Sequence, residues 1–168
     1  ETEAKRRGVI PYARFLGWGQ ASDGHNVAIS HPEGRGLRDS MLKSLEDAQV
    51  SATDIDYVNA HAPSTSIGDA SEMKALKAVF PAPQSVKISS TKALTGHGLS
   101  LSSIMEAAFC CLALKEGFLP GSANVNDPDP ELGHLDLLRN SIELQVDRIL
   151  SNSSGFGGAN VSLVLERV

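Results

Sequence analysis

Two short β-like runs in this sequence are each followed by a turn that carries a histidine and then by a helix-like segment. Residues 56–60 precede His61, and residues 86–90 precede a turn that contains Lys92 and His97. In α/β proteins, chemistry is usually placed on the loops that connect a strand end to the next helix. The pattern therefore predicts one functional site built from two strand-to-helix turns.

The rest of the sequence also alternates between helix-like and strand-like segments. Apolar residues recur at helical spacing in residues 36–49, 69–80 and 101–116. Strand-like runs occupy residues 9–20, 56–60, 86–90, 141–146, 148–153 and 159–167. The last helix is apolar nearly all round, which predicts a buried central helix. The order predicts one α/β domain in which helices pack on a mixed sheet.

Composition excludes several classes of function. The 168 residues are 41% hydrophobic with a net charge of −5, and they contain no basic run interleaved with aromatic residues, so no nucleic-acid partner is expected. No apolar run is long enough for a membrane span, so no membrane partner is expected either. The two cysteines, Cys110 and Cys111, are neighbours in the apolar helix and are predicted to be buried, reduced and unreactive, as in a cytoplasmic protein. Because the chain lacks an initiator Met, we expect a fragment or a processed product.

The two histidines are candidates for hydrogen-bond donors or bases near physiological pH. Lys92 would favour the neutral form of His97 and would hold a nearby acid in place. Glu106 is the obvious acid, because it is the only charge in the apolar stretch 99–114, although a position at the helix surface is the alternative. Nothing in the sequence has the spacing of a zinc site, so no metal is predicted there.

The Gly-rich segment 154–158 permits two interpretations. It is not a phosphate-binding loop, because it lacks Gly-Lys-Ser/Thr and is followed by a strand. It is either a simple β-hairpin turn or a turn that directs backbone N–H groups and the ring of Phe156 into a pocket.

Three ordered motifs resemble a known family. They are Asn-Ala-His-Ala-Pro-Ser-Thr-Ser-Ile-Gly-Asp at 59–69, Ser-Thr-Lys-Ala-Leu-Thr-Gly-His at 90–97 and Ser-Asn-Ser-Ser-Gly-Phe-Gly-Gly-Ala-Asn at 151–160. Together they resemble the C-terminal half of an elongating β-ketoacyl-acyl-carrier-protein synthase, a condensing enzyme of fatty acid synthesis. The resemblance implies that residues 1–168 form one βαβαβαββ half of a thiolase-like fold, with a mixed sheet and a buried central helix. It also implies an N-terminal half that carries the nucleophilic cysteine, and a homodimer.

The resemblance further implies a reaction and its residues. The family joins an acyl group to malonyl-acyl-carrier protein with loss of carbon dioxide, and the phosphopantetheine arrives on the carrier protein, so no other cofactor is expected. Catalytic roles are implied for His61, His97 and Lys92. A supporting polar shell, which in some members holds a monovalent cation, is implied for Asn59, Glu106, Ser151 and Asn152. Substrate contacts are implied for Thr65, Phe156 and Gly157.

The sequence departs from the family pattern at two motifs. Where the family usually has His-Gly-Thr-Ser-Thr-Pro, this chain has Ala62 and Pro63 after His61, so a threonine that usually binds the phosphopantetheine arm is absent. Ser154 replaces a common phenylalanine. Two alternatives to fatty acid synthesis stay open, namely a polyketide or polyene ketosynthase and a non-catalytic partner subunit similar to a chain-length factor.

Overall fold

A computed structural model describes residues 2–168, which are built around a six-stranded mixed sheet. The strands are β1 (Arg14–Ser22), β2 (Tyr57–Asn59), β3 (Lys87–Ser89), β4 (Phe118–Leu119), β5 (Asp136–Leu137), β6 (Ile142–Glu143), β7 (Arg148–Gly155) and β8 (Ala159–Glu166). The α-helices are α1 (Thr2–Arg6), α2 (Arg35–Ala48), α3 (Ser66–Val79), α4 (Lys92–Thr95) and α5 (Ser102–Glu116). Short 3-10 turns occupy Ala52–Asp54, Leu99–Leu101, Pro130–Leu132 and Phe156–Gly158.

The large sheet has the strand order β1-β8-β7-β2-β3-β5, and β4 pairs with β6 in a separate two-stranded sheet. Strand β2 is parallel to β7 on one side and to β3 on the other, and β5 is parallel to β3. Strand β8 is antiparallel to both β7 and β1. The chain order β1-α2-β2-α3-β3-α5-β7-β8 is the expected βαβαβαββ arrangement, so the α/β prediction is confirmed.

Helices cover both faces of the central strands. Because side chains alternate along a strand, Val58 and its neighbour Tyr57 point to opposite faces of the sheet. Val58 packs in a core with Met41 of α2 and Leu76 of α3, whereas Tyr57 packs in a second core with Leu114 of α5. A parallel strand covered on both sides in this way is typical of α/β proteins.

Two glycines of β1 allow α2 to lie directly against that strand. A Cβ at Gly19 would be 2.1 Å from the carbonyl oxygen of Ser40, and a Cβ at Gly17 would be 2.4 Å from the backbone nitrogen of Ala48. No larger residue fits at either position without moving the helix. The contact fixes α2 on β1, the edge strand that lies farthest from β3.

The apolar helix predicted in residues 101–116 is present as α5, and in this chain one of its faces is buried. One face of α5, which includes Glu106 and Leu114, is buried against the sheet, but Ile104 is 66% exposed and Leu112 is 41% exposed. Cys111, predicted to be buried, is only half-buried. The physical reason is that no element of residues 2–168 covers the side of α5 that faces away from the sheet.

None of the helices within residues 2–168 has the length and apolar character needed to span a membrane.

Several element boundaries differ from the sequence-based expectations. The first strand begins at Arg14 and not at residue 9. Pro11 lies in the segment that precedes the strand, and because proline has no backbone N–H it could not donate a hydrogen bond to a neighbouring strand. Helix α3 begins at Ser66, three residues before the predicted start. Only Ile142–Glu143 of the predicted strand 141–146 pairs with another strand. Strand β5, at the sheet edge, was not predicted, because two residues are too few to show a period.

Candidate active site

The two predicted histidines meet at one edge of the sheet. His61 follows β2 and His97 follows β3, and these two strands are parallel, with Asn59 opposite Ser89. Their carboxyl ends therefore lie together. The imidazole ring centroids are 5.3 Å apart with an angle of 80° between the rings. The prediction that two turns build one site is thus supported by the geometry.

The imidazole of His97 is oriented by hydrogen bonds to its Nδ1 atom. The backbone N–H of Leu99 donates to Nδ1 at 3.1 Å, and the hydroxyl of Ser102, the first residue of α5, lies 2.9 Å from the same atom. Because Nδ1 accepts a hydrogen bond, the proton of the neutral ring is on Nε2. Nε2–H is then the hydrogen-bond donor of the ring, and His97 is exposed in this chain.

The imidazole of His61 has a different environment. It is 9% exposed, and its Nδ1 atom is buried without a hydrogen-bond partner among the described residues. Burial, and to a lesser degree the positive charges of Lys92 and His97, lower the pKa of His61 from 6.5 to about 3. His61 is therefore neutral at physiological pH, and its ring is available as a donor or acceptor.

Lys92 and Glu106 form a buried ion pair beside the histidines. The Nζ atom of Lys92 donates to Oε1 of Glu106, and the two side chains are 5% and 1% exposed. The predicted pairing is therefore present, and the alternative of a surface-exposed Glu106 is wrong. Burial raises the pKa of Glu106, while the hydrogen bond and charge of Lys92 oppose that rise. The pair fixes the start of α4 to the buried face of α5.

The four residues of the predicted polar shell lie on two faces of the sheet. Asn59 and Ser151 are register partners on β2 and β7, and Ser151 contacts Cys110 on the same buried face of α5 as Glu106. The side chain of Asn152 projects to the opposite face because strand side chains alternate. Its Nδ2 atom donates to Oε1 of Glu72 at 3.2 Å.

A cavity of about 800 Å³ opens beside His97 and Lys92. Thr65, predicted to contact substrate, lies in its wall, and its backbone N–H donates to Oδ1 of Asp69 at 3.2 Å. Pro63 also lines the cavity and offers no side-chain donor there. The cavity wall thus combines two of the predicted catalytic residues, Lys92 and His97, with the segment that departs from the family motif, whereas His61 is not part of that wall.

Phe156 and Gly157 lie outside this cavity. The side chain of Phe156 is 80% exposed, and neither residue is in the cavity wall. The Gly-rich turn joins β7 to β8 as a hairpin, and the N–H of Gly157 donates to the carbonyl oxygen of Val27 at 2.7 Å. Gly157 has φ +82°, which favours glycine. The substrate-contacting roles of both residues stay predictions, since the ring of Phe156 is exposed and does not line this cavity.

Sequence reasoning missed two residues of the site. Ser102 gave no signal, because a serine at the start of a helix is ordinary. Glu72 did give one: it is a charge next to Met73 on the core-facing side of α3, and it is 4% exposed. Its carboxylate accepts the backbone N–H groups of His61 and Ala62 at 3.0 and 2.7 Å.

Neither a metal centre nor a thiol nucleophile is evident in the described part of the chain. No group of three or more His, Cys, Asp or Glu side chains in residues 2–168 is arranged to hold a metal ion. Burial raises the pKa of the Cys110 thiol, and burial also raises that of Cys111. A thiolate is thus disfavoured at both positions. What the site offers instead is two imidazoles, of which that of His61 is neutral, next to a buried cation, an arrangement that stabilises developing negative charge.

Comparisons with known proteins agree on one family. Residues 12–126 match the model described as the C-terminal domain of β-ketoacyl synthase. The chain is 37% identical over 166 residues to 3-oxoacyl-[acyl-carrier-protein] synthase 2 from Staphylococcus aureus (strain COL), with 98% of this chain and 40% of the relative covered.

Solved structures extend the similarity to the whole fold. A β-ketoacyl synthase from Burkholderia phymatum STM815 superposes with a TM-score of 0.93 at 32% identity, covering 100% of this chain and 40% of that one. A type II polyketide ketosynthase, in complex with its acyl-carrier protein and bound to the hexaketide, gives a TM-score of 0.94 at 28% identity, covering 99% and 41%. These matches confirm the thiolase-like fold. The chain spans about two fifths of the length of the proteins it matches.

Proposed function

Since the chain belongs to the β-ketoacyl synthase family as its C-terminal domain, we propose that it supplies the decarboxylating part of the active site of a fatty acid elongating acyltransferase. The reaction is the decarboxylative Claisen condensation of an acyl thioester with malonyl-acyl-carrier protein. The observation that carries this proposal is the pair of imidazoles with centroids 5.3 Å apart, beside the buried Lys92–Glu106 pair.

The two histidines stabilise the charge that decarboxylation creates. When the bond between the malonyl carboxylate and the α-carbon breaks, carbon dioxide leaves and its electron pair forms an enolate on the thioester oxygen. A donor such as Nε2–H of His97 stabilises that oxygen, and a donor from His61 would stabilise it from the second turn. The enolate carbon then attacks the carbonyl carbon of the acyl thioester, and the thiolate that held the acyl group leaves.

Lys92 is proposed to tune this pair of donors. Burial is the main cause that lowers the pKa of His61, and the positive charge of Lys92 lowers it further, so the ring stays neutral and proton transfer does not compete with hydrogen bonding to the enolate. Glu106 holds Lys92 in place because both are buried and hydrogen-bonded to each other. The cation is thus held from the side of α5, by an acid that does not line the cavity.

An N-terminal half is the proposed first partner. The matched proteins are about two and a half times as long as this chain, and the exposed apolar face of α5 around Ile104 and Leu112 needs a cover. In that half we expect the cysteine that carries the acyl group, since Cys110 and Cys111 are unsuitable. We expect the covering surface to enclose Phe156 as well, whose ring is exposed in residues 2–168.

An acyl-carrier protein is the second proposed partner. The name of the Staphylococcus aureus relative contains this carrier, and the polyketide ketosynthase above was solved in complex with its own. The substrate would arrive on the carrier as a phosphopantetheine thioester and enter past Thr65. A homodimer and a cytoplasmic location follow from the family resemblance and belong to this proposal.

A monovalent cation fits the polar shell beneath α5. Oδ1 of Asn59 and Oε2 of Glu106 are buried oxygen atoms without a hydrogen-bond partner, and such oxygens need either a donor or a cation. A bound cation would supply further positive charge to this buried carboxylate. Replacing potassium and sodium chloride by tetramethylammonium chloride at equal ionic strength should then lower the Tm of the complete protein, and an unchanged Tm would count against the site.

The decisive experiment for the function uses the complete synthase. His61→Ala and His97→Ala should each lower release of carbon dioxide from malonyl-carrier protein by about 100- to 1,000-fold, because each removes one donor to the enolate. Acyl transfer to the cysteine should survive at least partly. His25→Ala, in an exposed loop, is the matched control. Decarboxylation near the wild-type rate in either active-site variant would refute the assignment.

A polyketide or polyene ketosynthase is the second candidate. The observation in its favour is the TM-score of 0.94 with the type II polyketide ketosynthase, although identity to it is 28% against 37% for the fatty acid relative. Assaying the complete enzyme with the carrier proteins of both pathways separates the two. A non-catalytic subunit similar to a chain-length factor is disfavoured, because both histidines and Lys92 are retained and the two imidazole centroids are 5.3 Å apart.

A further inference from the structure

Strand β1 forms one edge of the six-stranded sheet, and within residues 2–168 it pairs with β8 alone. It is nine residues long and carries two exposed aromatic side chains, Phe15 at 54% and Trp18 at 52%. A long edge strand of this kind presents backbone N–H and C=O groups that can pair with a strand of another molecule. The opposite edge, β5, has only two residues and is protected by its shortness. Strand β1 needs another form of protection.

Side chains of α2 bind the outward backbone groups of β1. In an antiparallel strand alternate residues direct their N–H and C=O groups to the same side, so Trp18 and Gln20 share one side. The N–H of Trp18 donates to Oδ2 of Asp47 at 3.0 Å, and Nζ of Lys43 donates to the carbonyl oxygen of Gln20 at 3.0 Å. One acceptor and one donor of α2 thus occupy the positions where a neighbouring strand would supply a C=O and an N–H.

Two features of the sequence bring these side chains to the strand. Lys43 and Asp47 are four residues apart, so they lie on the same face of α2. Gly17 and Gly19 let the helix approach β1 closely, and a Cβ at Gly19 would be only 2.8 Å from Cβ of Lys43. At this separation even the short side chain of Asp47 reaches a backbone N–H of the strand.

We propose that Lys43 and Asp47 cap the open edge of β1 and so keep it from pairing with β1 of a second copy of this protein. A second copy is the partner that the edge fits, because two antiparallel β1 strands present the same donors and acceptors to each other around a two-fold axis. The proposal concerns assembly and does not depend on the proposed function.

The test removes both caps in the complete protein and measures its assembly by sedimentation over a range of concentrations. Lys43→Ala/Asp47→Ala should form an assembly of twice the wild-type mass, at concentrations about tenfold or more below those that the wild-type protein requires, because freed backbone groups gain intermolecular partners. The matched control is Arg35→Ala/Glu46→Ala, which removes one cation and one carboxylate from exposed positions of the same helix. Equal self-association of the two double variants would overturn the proposal.

A third substitution identifies the surface that associates. Gln20→Pro removes a backbone N–H from the outward side of β1, and an edge strand tolerates proline although proline cannot donate to a neighbouring strand. Added to Lys43→Ala/Asp47→Ala, it should return self-association to the wild-type level. Association that persists in the triple variant would place the contact elsewhere and refute the capping role.

A single substitution keeps the proposal testable if the double variant does not fold. In Asp47→Ala the amide hydrogen of Trp18 should exchange about tenfold faster than in the wild type, because it loses its acceptor. Glu46→Ala, at the neighbouring exposed position, should leave that exchange unchanged. Asp47→Ala should also self-associate more strongly than Glu46→Ala. Equal behaviour of these two variants in both measurements would show that Asp47 does not protect the edge.

Discussion

The turn that carries His61 is held through its backbone, whereas the turn that carries His97 is held through its imidazole. Glu72 accepts the N–H of His61, and the buried Nδ1 atom of that ring has no hydrogen-bond partner within residues 2–168. In the other turn Leu99 and Ser102 both contact Nδ1 of His97. The two donors of one proposed site are therefore oriented by unrelated sets of contacts, and a change in one set should leave the other intact.

Burial explains why the two turns differ. His61 lies two residues after β2, in the interior, where packing restricts the ring and the backbone N–H groups need acceptors. His97 lies eight residues after β3 and is exposed, so packing contributes little and hydrogen bonds have to orient the ring. Two histidines with the same proposed role can therefore be held in place by different contacts, and each turn is sensitive to a different substitution.

The largest effect is expected from Lys92, whose charge acts on the His61 turn while its backbone belongs to the His97 turn. Lys92→Met should destabilise the complete protein by about 3–5 kcal/mol, because it leaves Glu106 buried without a partner. Chemical denaturation measures this loss.

The matched variant for this prediction removes both charges. Lys92→Met combined with Glu106→Leu should regain most of the lost stability, since an apolar pair of similar size replaces a buried ion pair at little cost. Equal instability of the single and double variants would show that the ion pair is not what holds α4 to α5.

A smaller effect is expected from Ser102→Ala, which acts on the His97 turn alone. Losing one hydrogen bond of about 1 kcal/mol to Nδ1 should slow decarboxylation roughly fivefold in the complete enzyme. Ser103→Ala, in the same helical turn but exposed, is the control. Amide exchange at His61 should not change. Identical rates for the two serine variants would mean that Leu99 suffices to orient the ring.

The smallest effect is a shift in titration that sharpens the contrast between the rings. Because the pKa of His61 is lowered from 6.5 to about 3, NMR should find its ring neutral from pH 7 down to 5. The folded state then binds fewer protons than the unfolded state between those pKa values, so this group's contribution to stability falls as pH drops through that window.

The same titration separates the two causes of the shift. Removing the charge with the Lys92→Met/Glu106→Leu variant should raise the pKa of His61, but the value should stay below 6.5, because burial is the larger cause. A midpoint near 6.5 in the wild-type protein would contradict the burial of this ring.

Local patterns predicted much of the site and of the fold. The strand-turn-helix pattern identified His61 and His97, and a lone charge in an apolar helix identified Glu106. The same reasoning applies to Glu72 beside Met73, which shows that the signal was present and was overlooked. Ser102 could not be found, because its role depends on where α5 begins relative to the ring of His97.

Other features depend on contacts that no local pattern specifies. The apolar composition of α5 indicates that all faces of the helix become covered, but it does not show whether this chain or another segment covers them. Within this chain the face that contains Ile104 and Leu112 is exposed. The position of Asn152 is a similar case. The shared motif groups Asn152 with Ser151, but adjacent side chains of a strand point to opposite faces of the sheet, so Asn152 contacts Glu72 instead.

The exposed face of α5 has a consequence for how such a protein is made. In the proposed complete enzyme the N-terminal half leaves the ribosome first and can fold before residues 2–168 emerge. The exposed apolar face of α5 would then pack against the N-terminal half as soon as the helix forms, and its exposure to other nascent chains would be brief. Synthesised without that half, the same surface would stay open and favour aggregation and capture by chaperones. Order of translation is thus a protective factor for this fold.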